Sequence, residues 1–171
     1  MIREGTMNGK INQATEGLKS QLQFFQNVTS ILTEEDSGFR PTPEMRTIAQ
    51  MICHTWRTIK WFSDAVFTDN GFSMDFEGDE RETQKATSVK QELASLKAEF
   101  ERSIELWGGL PDEELMTLLP DNPIIGPVPK VTIVSSCIDH TAHHRGALSV
   151  YIRLLGKVPP MPYMAPEAQK E

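Results

Sequence analysis

The chain has 171 residues, 39% hydrophobic and 24% charged, with a formal net charge of −7 at pH 7. This composition predicts a single globular domain, residues 1–171, that buries its own core. The acidic balance argues against nucleic acid and anionic membrane surfaces as partners. No segment has the apolar length of a membrane span and residues 1–5 lack an apolar signal core, so we expect a cytoplasmic protein. The two cysteines, Cys53 and Cys137, are expected to be free thiols.

The first half of the chain predicts two helices separated by a polar segment. Apolar residues recur at three- and four-residue spacing over residues 11–32, which indicates an amphipathic helix. Residues 34–41 interrupt this spacing with acidic residues, glycine and proline. Thr42 followed by Pro43 then predicts the N-cap and first residue of a second helix.

The second helix has two apolar faces. We expect the face that contains the histidine to point into the protein: Thr47, Met51, His54, Thr58, Trp61 and Ala65. A second apolar set is predicted to lie away from it: Ile48, Ile52, Ile59 and Val66. Such two-sided apolarity suits a helix that packs on two neighbours or lies at a subunit interface.

The second half of the chain predicts two more helices. A polar loop is expected over residues 68–82, followed by a third helix over 89–107 that ends at a glycine pair. Five prolines prevent residues 110–130 from forming one helix. A fourth helix is predicted over 131–155, with an extended tail over 158–171. The expected fold is an all-α four-helix bundle, core about 10–157, with a long crossover loop between helices 3 and 4.

The histidines are the candidate site. His140 and His144 lie one turn apart, about 40° from each other around a helix, whereas His143 points about 60° to the other side of His140. His54 is expected to face the same interior. Three neutral imidazoles without a carboxylate suit a divalent metal such as Zn²⁺, Ni²⁺, Fe²⁺ or Mn²⁺, and leave a coordination position open. On spacing alone, histidines that are only hydrogen-bonded core residues stay an alternative.

These motifs resemble the DinB/YfiT-like family over nearly the whole chain. The resemblance is carried by the run His-Thr-Ala-His-His-Arg-Gly-Ala-Leu at 140–148, by 151–156, by Pro159-Pro160, by Arg-Pro-Thr-Pro at 40–43 and by the isolated His54. It implies a metal-binding four-helix bundle, commonly a homodimer, with His54, His140 and His144 as ligands and His143 in a non-ligand position. It also implies that the metal activates a small intracellular thiol in some relatives.

We therefore expect a metal-dependent enzyme that activates a small thiol for S-transfer to an electrophile. The alternatives are a hydrolase that activates water, whose pKa a metal lowers to about 7, and a non-catalytic metal-binding stress protein. No glutamate follows His140, which argues against a protease of the His-Glu-x-x-His type. A fourth ligand supplied by Cys137 would favour the non-catalytic alternative. No catalytic residue is predicted.

Several other side chains have a functional and a structural interpretation. Cys137, one turn before His140, is a possible thiolate ligand but is better explained as a small core residue. Arg145 is expected to cross a dimer interface or to bind a loop carboxylate. Thr58 and Tyr151 are the hydroxyls predicted to lie nearest the metal. A twofold homodimer is expected to form partly through five apolar residues: Ile48, Ile52, Val134, Ile138 and Ile152.

Overall fold

The computed structural model describes residues 9–68 and 71–164, in which helices occur and no strand does. In chain order the elements are α1 (Gly9–Thr29), a 3-10 helix (Glu34–Asp36), α2 (Ile48–Phe67), α3 (Phe76–Gln84), α4 (Val89–Gly108), α5 (Asp112–Leu115) and α6 (Val131–Leu154). None of these helices is both long and apolar enough to cross a membrane.

The four long helices form a bundle. α1 packs on α4 and α6, and α2 packs on the same two helices. α1 and α2 therefore stand at opposite corners, and so do α4 and α6. The prediction of an all-α four-helix bundle is confirmed. The long connection between the third and fourth bundle helices covers residues 109–130 and contains α5.

The bundle core consists of large apolar side chains from all four long helices. Those that are fully buried include Leu18, Phe25, Ile52, Ile59, Leu96, Phe100, Trp107, Ile133 and Leu148. Burying one such side chain contributes about 1.5–3 kcal/mol, so these positions supply much of the driving force for folding.

The second apolar face of α2 lies inside the protein, which agrees with the predicted alternative of a helix packed on two neighbours and not with a subunit interface. Ile48, Ile52 and Ile59 are fully buried in the core. The predicted dimer surface is wrong for the same reason, because Val134 and Ile152 are also buried. Ile138, its fifth member, is half-buried and packs against the core, with its Cδ1 atom close to Gly17. Each bundle helix packs on two neighbours and therefore needs two apolar faces. A homodimer itself stays a prediction.

α2 begins later than the sequence analysis predicts. Residues 42–45 form a turn in which the Met45 N–H donates to the Thr42 carbonyl at 3.1 Å. The helix is capped by Thr47, whose hydroxyl accepts from the Gln50 N–H at 3.2 Å, while the Gln50 side-chain oxygen accepts from the Thr47 N–H at 2.9 Å. This capping box satisfies two N–H groups reciprocally, which explains why it outcompetes the Thr42–Pro43 signal.

The predicted loop over residues 68–82 contains a helix instead. α3 starts after Asp75, whose carboxylate accepts from the Gly78 N–H at 2.8 Å. Glu77 and Asp79 in its first turn and Arg81 in its last turn suit the helix dipole. Gly78 lies within this helix.

Three expectations fall wholly or partly outside the described residues: the one on residues 1–5, the part of the predicted loop at 69–70, and the end of the tail at 165–171. The described part of the tail lies against α1. The side-chain amide of Asn27 donates to the Pro162 carbonyl at 2.8 Å, and the rings of Phe24 and Tyr163 meet edge to face at 4.9 Å.

Candidate metal site

Three histidines from two neighbouring helices converge on one point. His54 lies two turns after the start of α2, and His140 and His144 are one turn apart on α6, which packs on α2. The ring centroids of His54 lie 5.2 Å from His140 and 4.9 Å from His144, and those of His140 and His144 are 4.4 Å apart. One ligand atom from each residue can be chosen so that all three lie within 4.8 Å of one another.

This arrangement fits a divalent metal ion. Within residues 9–68 and 71–164, it is the one group of three or more histidine, cysteine or acidic side chains that is close enough to hold a metal. Nε2 of His140 is buried and has no hydrogen-bond partner in this part of the chain. A buried ring nitrogen without a partner is costly, and a metal ion would satisfy it. That these residues bind a metal stays a prediction.

The electrostatics keep all three imidazoles neutral. Burial lowers the pKa of His54 and of His140 to about 4, and that of His144 to about 3. Burial is the largest cause; the positive charge of Arg46 and the neighbouring histidines contribute to the same lowering of each pKa. Each ring therefore has a free lone pair at neutral pH, as a metal ligand requires.

Two contacts around the histidines could not be foreseen from the sequence. Sδ of Met51 lies 3.0 Å from Nδ1 of His144. Arg46, just before α2, forms an ion pair with Glu80 of α3 at 2.5 Å, and its Nε is buried without a partner among the described residues. Met51 does belong to the predicted inward stripe, but its contact with His144 depends on how α2 and α6 are aligned.

A cavity of about 610 Å³ opens beside the site, and His54 and His140 line it. Thr58 and Trp61 of α2 line it as well, and α3 forms another wall. α3 is held on α2 by the Arg57–Asp79 ion pair at 2.6 Å. α3, which the sequence analysis did not predict, therefore shapes access to the histidines. The sequence feature that could have indicated this helix is its acidic first turn after the N-cap Asp75.

The two predicted hydroxyls lie in different places. Thr58 is half-buried and lines the cavity with His54 and His140. The hydroxyl of Tyr151 donates instead to the Arg46 carbonyl at 3.3 Å, and Tyr151 lines a neighbouring cavity of about 450 Å³ together with Met51. Of the two, Thr58 is the hydroxyl that a ligand in the larger cavity can reach.

Cys137 has the core position that the sequence analysis favours, and His143 lies outside the group of three histidines. Cys137 is fully buried and lies outside the histidine group, and burial, reinforced by Glu99, raises the pKa of its thiol to about 12. It is therefore a core residue. His143 is exposed on α6, and its ring lies 4.8 Å from that of His144.

Within residues 9–68 and 71–164 Arg145 pairs with no carboxylate, contrary to one of its two predicted roles, and the role at a dimer interface stays a prediction. Its side chain is buried, and Nη1 donates to the Gln21 side-chain oxygen at 2.8 Å. The guanidinium lies 5.4 Å from the ring of Phe24 and 5.8 Å from that of Tyr163. These contacts join α6, α1 and the tail by cation–π attraction.

Solved structures with low sequence identity share this fold. A DinB-like protein from Bacillus cereus superposes with a TM-score of 0.70 at 20% identity, covering 87% of this chain and 95% of that chain. A DinB-like protein from Bacillus subtilis superposes with a TM-score of 0.65 at 14% identity, covering 90% of this chain and 99% of that chain. A conserved protein from Enterococcus faecalis superposes with a TM-score of 0.64 at 18% identity, covering 85% of this chain and 97% of that chain.

The sequence comparisons give the family. No curated protein matches this sequence at a significant level. The sequence does match the DinB family over residues 7–171, which is nearly its full length. The helical bundle and the histidine group agree with that match. The chain belongs to the DinB family.

Proposed function

We propose that this protein binds a divalent metal through His54, His140 and His144 and transfers a small thiol to an electrophile. The observation that carries the proposal is the convergence of three neutral imidazoles, two of which, His54 and His140, line a cavity large enough for a small molecule. Zn²⁺, Ni²⁺, Fe²⁺ and Mn²⁺ all suit nitrogen ligands of this kind. A divalent ion held there would lower the pKa of a thiol that reaches it.

The chain's own residues have distinct parts in this reaction. Burial keeps the imidazoles unprotonated, and Met51 holds the ring of His144. The positive charge of Arg46 favours a negatively charged sulfur near the histidines. Thr58 offers a hydroxyl to a ligand in the cavity. In the reaction the thiol proton leaves to solvent, a sulfur–carbon bond forms, and the bond to the leaving group breaks with its electron pair.

One feature favours thiol transfer over hydrolysis. A hydrolase needs a general base within hydrogen-bond reach of the attacking water. The acidic side chains that line the cavity are instead already paired, as Asp79 is with Arg57 and Asp64 with Arg102. Because Cys137 is buried outside the histidine group, the reacting sulfur has to come from solution.

The experiment is a conjugation assay with N-acetylcysteine and 1-chloro-2,4-dinitrobenzene. Protein stripped of metal should be inactive and should regain activity with one of the four metals. The conjugation rate with His140→Ala should fall to the uncatalysed rate. His143→Ala, which changes an exposed neighbouring residue, should keep the wild-type rate. A protein that binds metal but conjugates no thiol tested would support the non-catalytic alternative and overturn the proposed reaction.

A further inference from the structure

The cavity beside the histidines has an aromatic wall. Trp61 and Phe76 both line it, with ring centroids 6.1 Å apart. The indole of Trp61 is held in place, since its N–H donates to the Ser73 carbonyl at 2.8 Å and its ring packs 4.7 Å from that of Phe72. Phe76 stays 53% exposed at the start of α3. This fixed aromatic surface is available to an apolar group of a ligand.

The acidic residues that line the cavity already have hydrogen-bond or ion-pair partners within the chain. All four carboxylates that line it have partners: Asp64 has Lys60 and Arg102, Asp75 has the Gly78 N–H, Asp79 has Arg57, and Glu82 has Lys85. Asp64, Asp79 and Glu82 are in ion pairs, so a cationic ligand would have to compete with the chain's own cations for these three carboxylates. Among the described residues, Asp75 accepts only a backbone N–H.

One cation that lines the cavity is much less engaged. Arg57 and Lys60 take part in the pairs with Asp79 and Asp64. Arg81 has a 3.8 Å contact with Glu77, which is beyond hydrogen-bond distance, and its side chain is 68% exposed. Its guanidinium therefore keeps its donors for an anionic group, which it can bind with two hydrogen bonds.

We infer that this cavity binds a small anionic molecule whose aromatic group packs on Trp61 and Phe76 and whose carboxylate or similar anion pairs with Arg81. The volume of about 610 Å³ lies within the usual range for small-molecule sites, about 300–1,000 Å³. The inference deepens the proposed function and rests on it for the sulfur chemistry. The substrate class is an aromatic electrophile with an anionic group, and the product is its thioether.

Three matched thioethers test each part of this recognition. N-acetyl-S-benzylcysteine has the ring and the carboxylate, its carboxamide lacks the charge, and N-acetyl-S-methylcysteine lacks the ring. Dissociation constants are measured by ligand-observed NMR titration of the full chain without metal. Loss of the ring should weaken binding about tenfold, and loss of the charge about threefold, as for an exposed ion pair.

Variants assign each effect to its residue. In Trp61→Leu the benzyl compound should no longer bind more tightly than the methyl compound. In Arg81→Gln the carboxylate should no longer bind more tightly than its carboxamide. Lys97→Gln, on α4 outside the cavity, should leave all three affinities unchanged. Phe76→Ala, at an exposed position, replaces Trp61→Leu if thermal unfolding shows that variant to be misfolded.

Equal binding of the three compounds, no binding, or a benzyl advantage that survives in a folded Trp61 or Phe76 variant would overturn the inference. Because the titration uses protein without metal, its failure does not bear on metal-dependent thiol transfer. Conversely, intact selectivity with no conjugation would leave the ligand class standing and reject the proposed reaction.

Discussion

Nδ1 of His144 lies 3.0 Å from the thioether sulfur of Met51. Because that sulfur has no hydrogen to donate, the contact requires a proton on Nδ1 and leaves the lone pair on Nε2. Metal-binding histidines usually donate this second N–H to a carboxylate, a carbonyl or water. Here a buried, uncharged and weak acceptor takes that place. We expect it to favour the Nδ1–H tautomer of His144 without adding negative charge beside the site.

Met51→Leu tests this role, since leucine keeps the volume but removes the acceptor. We expect the metal-free protein to lose its preference for the Nδ1–H form of His144, and metal affinity to fall about tenfold. Nitrogen-15 shifts of the imidazole and competition with a chromophoric chelator measure the two effects. Met74→Leu, at an exposed position, is the control. An unchanged tautomer in Met51→Leu would mean that the sulfur does not hold the ring.

The metal content of histidine variants tests the ligand set. We expect about one divalent ion per chain in the native protein. The ion should be largely lost in His54→Ala, His140→Ala and His144→Ala, because each removes one of three ligands. His143→Ala should retain it, since that side chain is exposed. Native mass spectrometry gives the stoichiometry, and equal loss in all four variants would contradict this choice of ligands.

The sequence was sufficient to predict the four long helices and to predict that the three histidines converge. Their apolar residues repeat with the helical period, and the four-residue spacing of His140 and His144 fixes a common face. It was not sufficient for α3, because this short helix buries only Thr83 among its residues and has no apolar stripe to detect. The Met51–His144 contact was also out of reach, since it depends on the relative position of two helices.

The orientation of α2 shows a second limit. Both of its faces are apolar, and the periodicity alone does not tell an interior face from a subunit interface. The structure places Ile48, Ile52 and Ile59 in the core and leaves His54 and Trp61 half-buried at the cavity. The correct interpretation required knowing that α2 packs on both α4 and α6.

Ile52→Ala distinguishes a core position from an interface. The side chain is fully buried within one chain, so we expect the free energy of unfolding to fall by about 2–5 kcal/mol. The loss should not depend on protein concentration. Urea denaturation at several concentrations measures it, with the exposed Val150→Ala as control. A loss that varies with concentration would place Ile52 at a subunit interface.

Asp36 joins the segment before α2 to the end of α6. Its Oδ2 accepts from Lys157 Nζ at 2.6 Å, from the Thr33 N–H at 2.7 Å and from the Thr33 hydroxyl at 3.1 Å. Burial acts to raise the pKa of Asp36, but these donors outweigh burial and lower it. The resulting stabilisation is present above the unfolded pKa of about 3.9 and is lost as the pH falls through the folded value.

Asp36→Asn should therefore lower the free energy of unfolding at pH 7 by about 1.5–3 kcal/mol. The difference from the wild type should be smaller at about pH 2.5 than at pH 7, because the native carboxyl takes up a proton as the pH falls through its lowered pKa. Urea titrations at the two pH values measure this, with the exposed Glu101→Gln as control. A difference that is the same at both pH values would show that the charge of Asp36 is not what stabilises the fold.

Two ion pairs join α3 to the bundle, one through a residue before His54 in the chain and one through a residue after it. Asp79 pairs with Arg57 at 2.6 Å, one turn after His54 along α2, and Glu80 pairs with Arg46, which precedes that helix. Both pairs are partly exposed, so together we expect them to stabilise the docked helix by about 1 kcal/mol. A local opening free energy of this size controls hydrogen exchange in α3 without unfolding the rest of the chain.

The double variant Asp79→Asn, Glu80→Gln should speed exchange of the α3 amides about fivefold, the factor that about 1 kcal/mol gives, while α4 is unchanged. The control Lys97→Gln removes a pair that lies within α4, and it should leave α3 exchange at the wild-type rate. Unchanged exchange in α3 would mean that its apolar contacts, and not these ion pairs, keep the helix over the histidines.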